Sequence, residues 1–190
     1  MLPRLRAELD GATRRRSTFE AQTRALSEAQ LRFRPAEGSW SIAEVAHHLL
    51  HVEREVTEAT TKPGVERHGR RRTAKEWLGY LGFLAVVHLR GRIKVPGKVA
   101  GRVTPAADPD MEQLWREWSE LHARLASHLE TIREEDLGQM AFKHPIMGPT
   151  SVKGVLPFFR QHFDHHMRQV RRIRAAPAFP RPKRENGTTR

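Results

Sequence analysis

Apolar residues recur at helical spacing through most of the chain, in runs broken by clusters of glycine and proline, and no stretch alternates convincingly between apolar and polar. The pattern predicts an all-α protein. A first helix spans roughly Leu2 to Leu26, with Gly11 and the run Arg14-Arg15-Arg16 as the weak points of its middle. After a turn at Ser27 to Leu31 and the segment Arg34-Pro35-Ala36-Glu37-Gly38, the box Ser41-Ile42-Ala43-Glu44 caps a second helix that stops near Lys62, before Pro63-Gly64. A second box, Thr73 to Glu76, opens a third helix, apolar on most sides from Trp77 to Leu89 and so expected to be the most buried. Gly91 begins its end, and Lys94 to Pro105 reads as a long crossover loop. Asp108 followed by Pro109 predicts the next N-cap, ahead of a heptad stripe of Met111, Leu114, Trp118, Leu121, Leu125, Leu129 and Ile132. Pro145, Gly148 and Pro149 form a further break, and a last helix runs from about Ser151 to Arg174. Pro157 predicts either a kink there or a regular part that begins at about Gly154.

Composition bounds this picture to one core: 190 residues, 38% of them hydrophobic, with residues 1–174 forming the bundle and 175–190, rich in proline and charge, a basic disordered tail. The absence of cysteine excludes disulfides, a thiol nucleophile and thiolate ligands, so any metal must be held by nitrogen and oxygen. The N-terminus has no continuous apolar segment of the kind a signal peptide needs, so the expected location is the cytoplasm. The apolar run from Trp77 to Leu89 falls short of the roughly 20 residues of a membrane span, and no membrane association is expected.

The net charge of +12 raises the possibility of a nucleic-acid partner, but its distribution argues against one. From Arg168 onward there are eight basic side chains against Glu185 alone, which accounts for +7 of the total. A second cluster, Arg67, Arg70, Arg71 and Arg72, sits in an expected inter-helix loop. Arginine outnumbers lysine 27 to 7, a bias that base composition can produce without selection for anion binding.

The chain has 11 histidines, so facing has to be argued rather than proximity. On the second helix Ile42, Val45, Leu49, Val52 and Val56 define the core face, and at 100° per residue His48 falls about 80° from its centre, His51 about 140° and His47 about 180°. On the last helix the core face runs through Val155, Phe159, Val170 and Ile173; His166 lies about 30° from its centre, His162 about 70° and His165 about 130°. His48, His162 and His166 are therefore expected to look inward, the latter two one turn apart, a spacing at which helical ligands can share one ion. His47, His51 and His165 are expected in solvent and His88 against the core; His122, His128 and His144 carry no assignment. Taken singly, each inward histidine has a plainer reading as a half-buried side chain. Three histidines without a fourth protein ligand would leave open coordination positions, the arrangement of catalytic sites.

The segment from Leu31 to Leu49, with Arg34-Pro35, Gly38-Ser39-Trp40-Ser41 and His48 in order, resembles a signature of the DinB/YfiT-like superfamily. A second signature, H-x-x-x-H followed by Gln, resembles His162-Phe163-Asp164-His165-His166-Met167-Arg168-Gln169, with His144-Pro145-Ile146-Met147-Gly148-Pro149 as its lead-in. The resemblance covers the chain from the first helix to Arg174. It implies an up-down-down-up four-helix bundle, often dimeric, in which His48, His162 and His166 bind Zn²⁺, Ni²⁺ or a related divalent ion. It also implies a transferase or isomerase that uses a low-molecular-weight thiol such as mycothiol, bacillithiol or glutathione on a small-molecule substrate. A metal-dependent hydrolase would need the same site. Two readings without catalysis stand beside these: a basic binding protein for nucleic acid or an acidic partner, built on the tail and the Arg67 to Arg72 loop, and a bundle whose metal serves stability alone.

Overall fold

The computed structural model describes residues 1–62, 73, 74, 77, 78, 81, 82, 101, 103–144 and 148–181. Among them four long helices form the bundle: α1 (Pro3–Arg24), α3 (Ile42–Thr61), α4 (Met111–Glu130) and α5 (Val152–Arg174), with a one-turn α2 (Glu28–Arg32) between the first two. Ion pairs between helices give their directions. Arg24 reaches Glu112 while Arg6 reaches Glu130 at 2.7 Å, so α4 runs antiparallel to α1. Arg54 pairs with Glu117, and Arg124 with Glu58 at 3.9 Å, so α3 and α4 run parallel. Arg15 with Asp164 and Arg160 with Glu8 make α5 parallel to α1. The order is up, down, down, up, and two successive parallel helices require the long connection between residues 62 and 110.

Local signals set most helix ends. Ser41 Oγ accepts the Glu44 N–H and Glu44 accepts the Ser41 N–H, a capping box that starts α3 about two turns ahead of His48. The Glu44 carboxylate also takes two bonds from the Arg34 guanidinium, at 2.8 and 2.9 Å. Burial works to raise the Glu44 pKa, but these bonds from Arg34 and Ser41 outweigh it and hold the carboxyl below its ordinary value. Between Arg34 and Ser41 the chain turns at Gly38, whose φ of 67° is a left-handed conformation that glycine adopts without strain.

Several sequence expectations need correction. The cap of α4 is Asp110, which accepts from the N–H groups of Glu112 and Gln113, whereas Asp108 instead pairs with Arg32. The first helix is found as expected, unbroken through Gly11 and the three arginines, whereas α5 continues through Pro157 from Val152. The carbonyl that Pro157 deprives of its helical partner belongs to the exposed Lys153, where water can replace the lost donor. The break before α5 contains an antiparallel hairpin, β1 (Met140–His144) with β2 (Gly148–Ser151), that pairs Phe142 with Thr150 and His144 with Gly148. Helical residues occur at 74, 77, 78, 81 and 82, but Trp77, Leu78 and Leu81 are 49%, 73% and 56% exposed rather than the most buried. Apart from Gly82, the other residues of the run to Leu89 lie outside the described residues. His88 and the Arg67 to Arg72 cluster lie outside the described residues. Of the residues expected in the tail, 175–181 are described: Phe179 packs edge-on against Phe33 and the Pro180 carbonyl accepts from Gln30.

The core falls into two apolar clusters. One gathers Leu5, Leu9, Val56, Leu125, Leu129, Val155 and Phe159; the other gathers Phe19, Ile42, Val45, Leu49, Trp115, Trp118, Phe163, Val170 and Ile173. Between them, along each helix, come buried or half-buried polar residues: Thr13 and Arg16 on α1, Glu53 on α3, His122 on α4 and His162 on α5. Glu53 accepts from Trp118 Nε1 at 2.7 Å and lies 2.9 Å from His122 Nε2, so one carboxylate serves two side chains of the neighbouring helix. Replacing Glu53 by Ala strands both, and urea denaturation should show a loss of about 3 kcal/mol. A loss below about 1 kcal/mol would mean that the layer is not held by this carboxylate.

Candidate metal centre

His48 leaves α3 from a fully packed stretch: Ile42 to Ala46 and Leu49 to Leu50 are all buried, and His48 itself is 5% exposed. His162 and His166 leave α5 on the same side, one turn apart, with His166 7% exposed. The three expected residues come together. His162 Nε2 lies 3.3 Å from His48 Nε2 and 3.2 Å from His166 Nε2, and all three nitrogens lie within 4.8 Å of one another.

Partners on the far side of two rings fix which nitrogen carries the proton. His48 Nδ1 lies 2.6 Å from the Val103 carbonyl oxygen, which can only accept, so Nδ1–H donates and Nε2 keeps its lone pair. His166 Nδ1 in the same way donates to Gln169 Oε1 at 2.9 Å. Two inward lone pairs are thereby committed, and His162 has one proton at most to set between them. A cation satisfies all three nitrogens at once. The spacing suits one: two nitrogens about 2.0–2.1 Å from an ion at the tetrahedral angle lie about 3.3 Å apart. The residues present therefore fit a divalent metal held by nitrogen.

Aromatic rings enclose the cluster. Trp40, from the Gly-x-Trp segment, has its ring 4.8 Å from that of His48 and stacks at 6.2 Å on that of His166. Phe158 stacks on His162 at 5.7 Å with an interplanar angle of 8°. Burial in this apolar setting pushes the His48 pKa down to about 4, against the Val103 bond that works to raise it. Burial also drives His162 and His166 well below their ordinary value, and the charges that neighbouring imidazoles would carry add to the effect. All three are neutral at pH 7, the form that ligates metal.

The other histidines depart from expectation. His47, His51 and His165 are half-buried rather than in solvent. The segment after residue 101 covers the outer side of α3: the Ala106 N–H donates to His47 Nδ1, and the His51 ring lies 4.1 Å from that of His47. His122 belongs to the Glu53 layer, and His144, at the end of β1, packs against Phe158 with its pKa lowered to about 4 by burial. Sequence reasoning missed the roles of Gln169, Trp40 and the Val103 carbonyl. Gln169 stands three residues after His166, a helical-neighbour spacing that could have revealed it; a backbone carbonyl leaves no such trace.

Two predictions follow from this geometry. Gln169→Ala, with the fold unchanged by circular dichroism, should weaken Zn²⁺ binding about 10–100-fold in competition with a chromogenic chelator, and unchanged affinity would remove the outer-shell role. The pH dependence is the second. The folded pKa values lie below the unfolded 6.5, so the unfolded chain binds more protons in acid. In chelator, the melting temperature should hold above about pH 6.5 and fall progressively towards pH 4, with a shallower slope in His48→Leu. Equal slopes in the two proteins would show that His48 is not the buried neutral base described.

No curated protein matches the chain. A family model does, over residues 12–170, a span that contains His48, His162 and His166, the Trp40 wall and the Gln169 contact. By that match across most of its length, the chain belongs to the DinB superfamily.

Proposed function

We propose that the protein is a metal-dependent enzyme whose metal is held by His48, His162 and His166, and that it is a low-molecular-weight thiol S-transferase. The observation that carries this reading is the convergence of three neutral imidazole nitrogens with no carboxylate or further histidine in the cluster among the described residues. A structural site is usually closed by four protein ligands, whereas three leave a position for an exogenous group. When bound, a divalent cation such as Zn²⁺ or Ni²⁺ would supply Lewis-acid stabilisation of a thiolate at neutral pH.

The chain's own part is positioning and exclusion of water. Val103 and Gln169 lock two ring tautomers, so that no proton has to leave those nitrogens for them to act as ligands. Trp40 and Phe158 press the rings from either side and keep the environment apolar, which strengthens attraction between an anionic sulfur and any positive charge beside it. The small-molecule electrophile would approach on the side that the three rings leave free.

The test is turnover by metal-loaded protein with mycothiol, bacillithiol and glutathione in turn, against a chromogenic aryl halide. One thiol should be consumed in a metal-dependent manner, and His162→Ala should fall to background while keeping its helical spectrum. Ester hydrolysis without thiol consumption would replace the transferase by a hydrolase on the same residues. A metal that raises the melting temperature while no thiol or ester turns over would reduce the site to a structural one.

A further inference from the structure

On the other side of α5 from the histidines, a groove of about 560 Å³ runs between α5 and α1. Its size falls within the range of sites for small organic ligands. At 100° per residue, Met167, Arg171 and Arg174 point about 100–160° away from the mean direction of His162 and His166, so the groove is a separate surface. Its floor includes Phe19, Phe163 and Val170, whose rings and methyls also close the upper apolar cluster. Four arginines stand along it, Arg14 and Arg15 from α1 and Arg171 and Arg174 from α5.

Four like charges beside one apolar floor repel one another unless something neutralises them. Arg15 is answered within the chain: its Nε lies 3.4 Å from Asp164 Oδ1 and its Nη1 donates to the Gly11 carbonyl at 3.2 Å. Arg14, Arg171 and Arg174 have no carboxylate partner among the described residues. Placement in the last turn of α5 explains Arg171 and Arg174 in part, through the helix dipole. It explains nothing about Arg14, which sits in the middle of α1. The Arg15–Asp164 pair shows a carboxylate already seated at this rim, and guanidinium groups accept such a group through paired N–H donors.

We propose that this groove binds a small amphiphilic carboxylate from solution, its apolar body on Phe19, Phe163 and Met167 and its carboxylate between Arg14 and the Arg171–Arg174 pair. The site is independent of the histidine centre.

Decanoate and its neutral counterpart decanol are suitable probes, titrated calorimetrically into the full chain. Decanoate should bind at least tenfold more tightly than decanol and weaken as salt rises. The Arg14→Gln/Arg171→Gln/Arg174→Gln variant should lose at least tenfold in decanoate affinity with decanol unchanged, and the triple lysine variant should recover part of the loss. His162→Ala should bind decanoate as the parent does, which separates failure here from failure at the metal centre. With ¹³C-methyl methionine, the Met167 signal should shift on addition of decanoate. Equal affinity of parent and glutamine variant, an unmoved Met167 signal, or arginine-dependent binding to phosphatidylglycerol vesicles without binding to free decanoate would each overturn the proposal.

Discussion

A layer of buried polar side chains crosses the middle of this bundle, and the packing of the helices brings Glu53 and the inward histidines of that layer to partners. Leaving one buried donor or acceptor unmatched costs about 1–3 kcal/mol, comparable to burying a whole aliphatic side chain. Here the partners come from different helices. Glu53 of α3 answers Trp118 and His122 of α4, His122 lies 3.5 Å from Thr13 of α1, and His48 of α3 meets His162 and His166 of α5. A slip of one helical turn, about 5.4 Å, would break every one of these contacts, while the leucines and phenylalanines above and below could repack. The apolar clusters supply the driving force; the polar layer supplies the register.

That division explains why the segment before α3 is built so tightly. His48 reaches its neighbours only if the first turn of α3 starts where it does. The start is fixed three times over, by the Ser41–Glu44 box, by Arg34 on the same carboxylate, and by the Gly38 turn that delivers Trp40 to the histidine rings. The Arg-Pro, Gly-x-Trp-Ser and histidine elements of this stretch are thus one device for aiming a single imidazole. The lower end of the bundle is closed differently, by the hairpin whose Ala141 and Phe142 join the cluster of Leu5, Leu9 and Phe158.

What could be read in the sequence was what a single helix decides. The angular position of His48 against Ile42, Val45 and Leu49, and of His162 and His166 against Val155 and Phe159, follows from 100° per residue and needs no knowledge of neighbours. The capping box of α3 is equally local. The Glu53–His122 contact was not legible, because each residue alone resembles a surface residue and only the packing of α3 on α4 buries the pair. The half-buried state of His47 and His51 depends on chain that returns across α3 more than fifty residues later. The strands escaped notice because they are only five and four residues long, and Gly148 and Pro149 resemble a plain break. The exposure of Trp77, Leu78 and Leu81 was not legible either, because hydrophobicity reports only a tendency to be buried and the packing of neighbours decides the outcome.

A net charge of +12 repels a divalent cation at long range, yet the histidine centre and the basic surface can coexist. Long-range repulsion from solvent-exposed arginines is screened within about 8–10 Å at physiological salt, whereas coordination acts at about 2 Å. At short range the positive surroundings help. Arg172 is among the groups that lower the His166 pKa, adding to burial and to His48, so protons are displaced from the nitrogens before any metal arrives. A carboxylate beside the three rings would strengthen the attraction for the ion but would also favour protonated imidazole and fill a coordination position. Neutral ligands in an electropositive, dry setting would instead leave the positive charge of a bound ion uncompensated. The same helix can therefore aim imidazoles inward on one face and carry Arg171 and Arg174 on another, since both faces favour negative charge supplied from outside the chain.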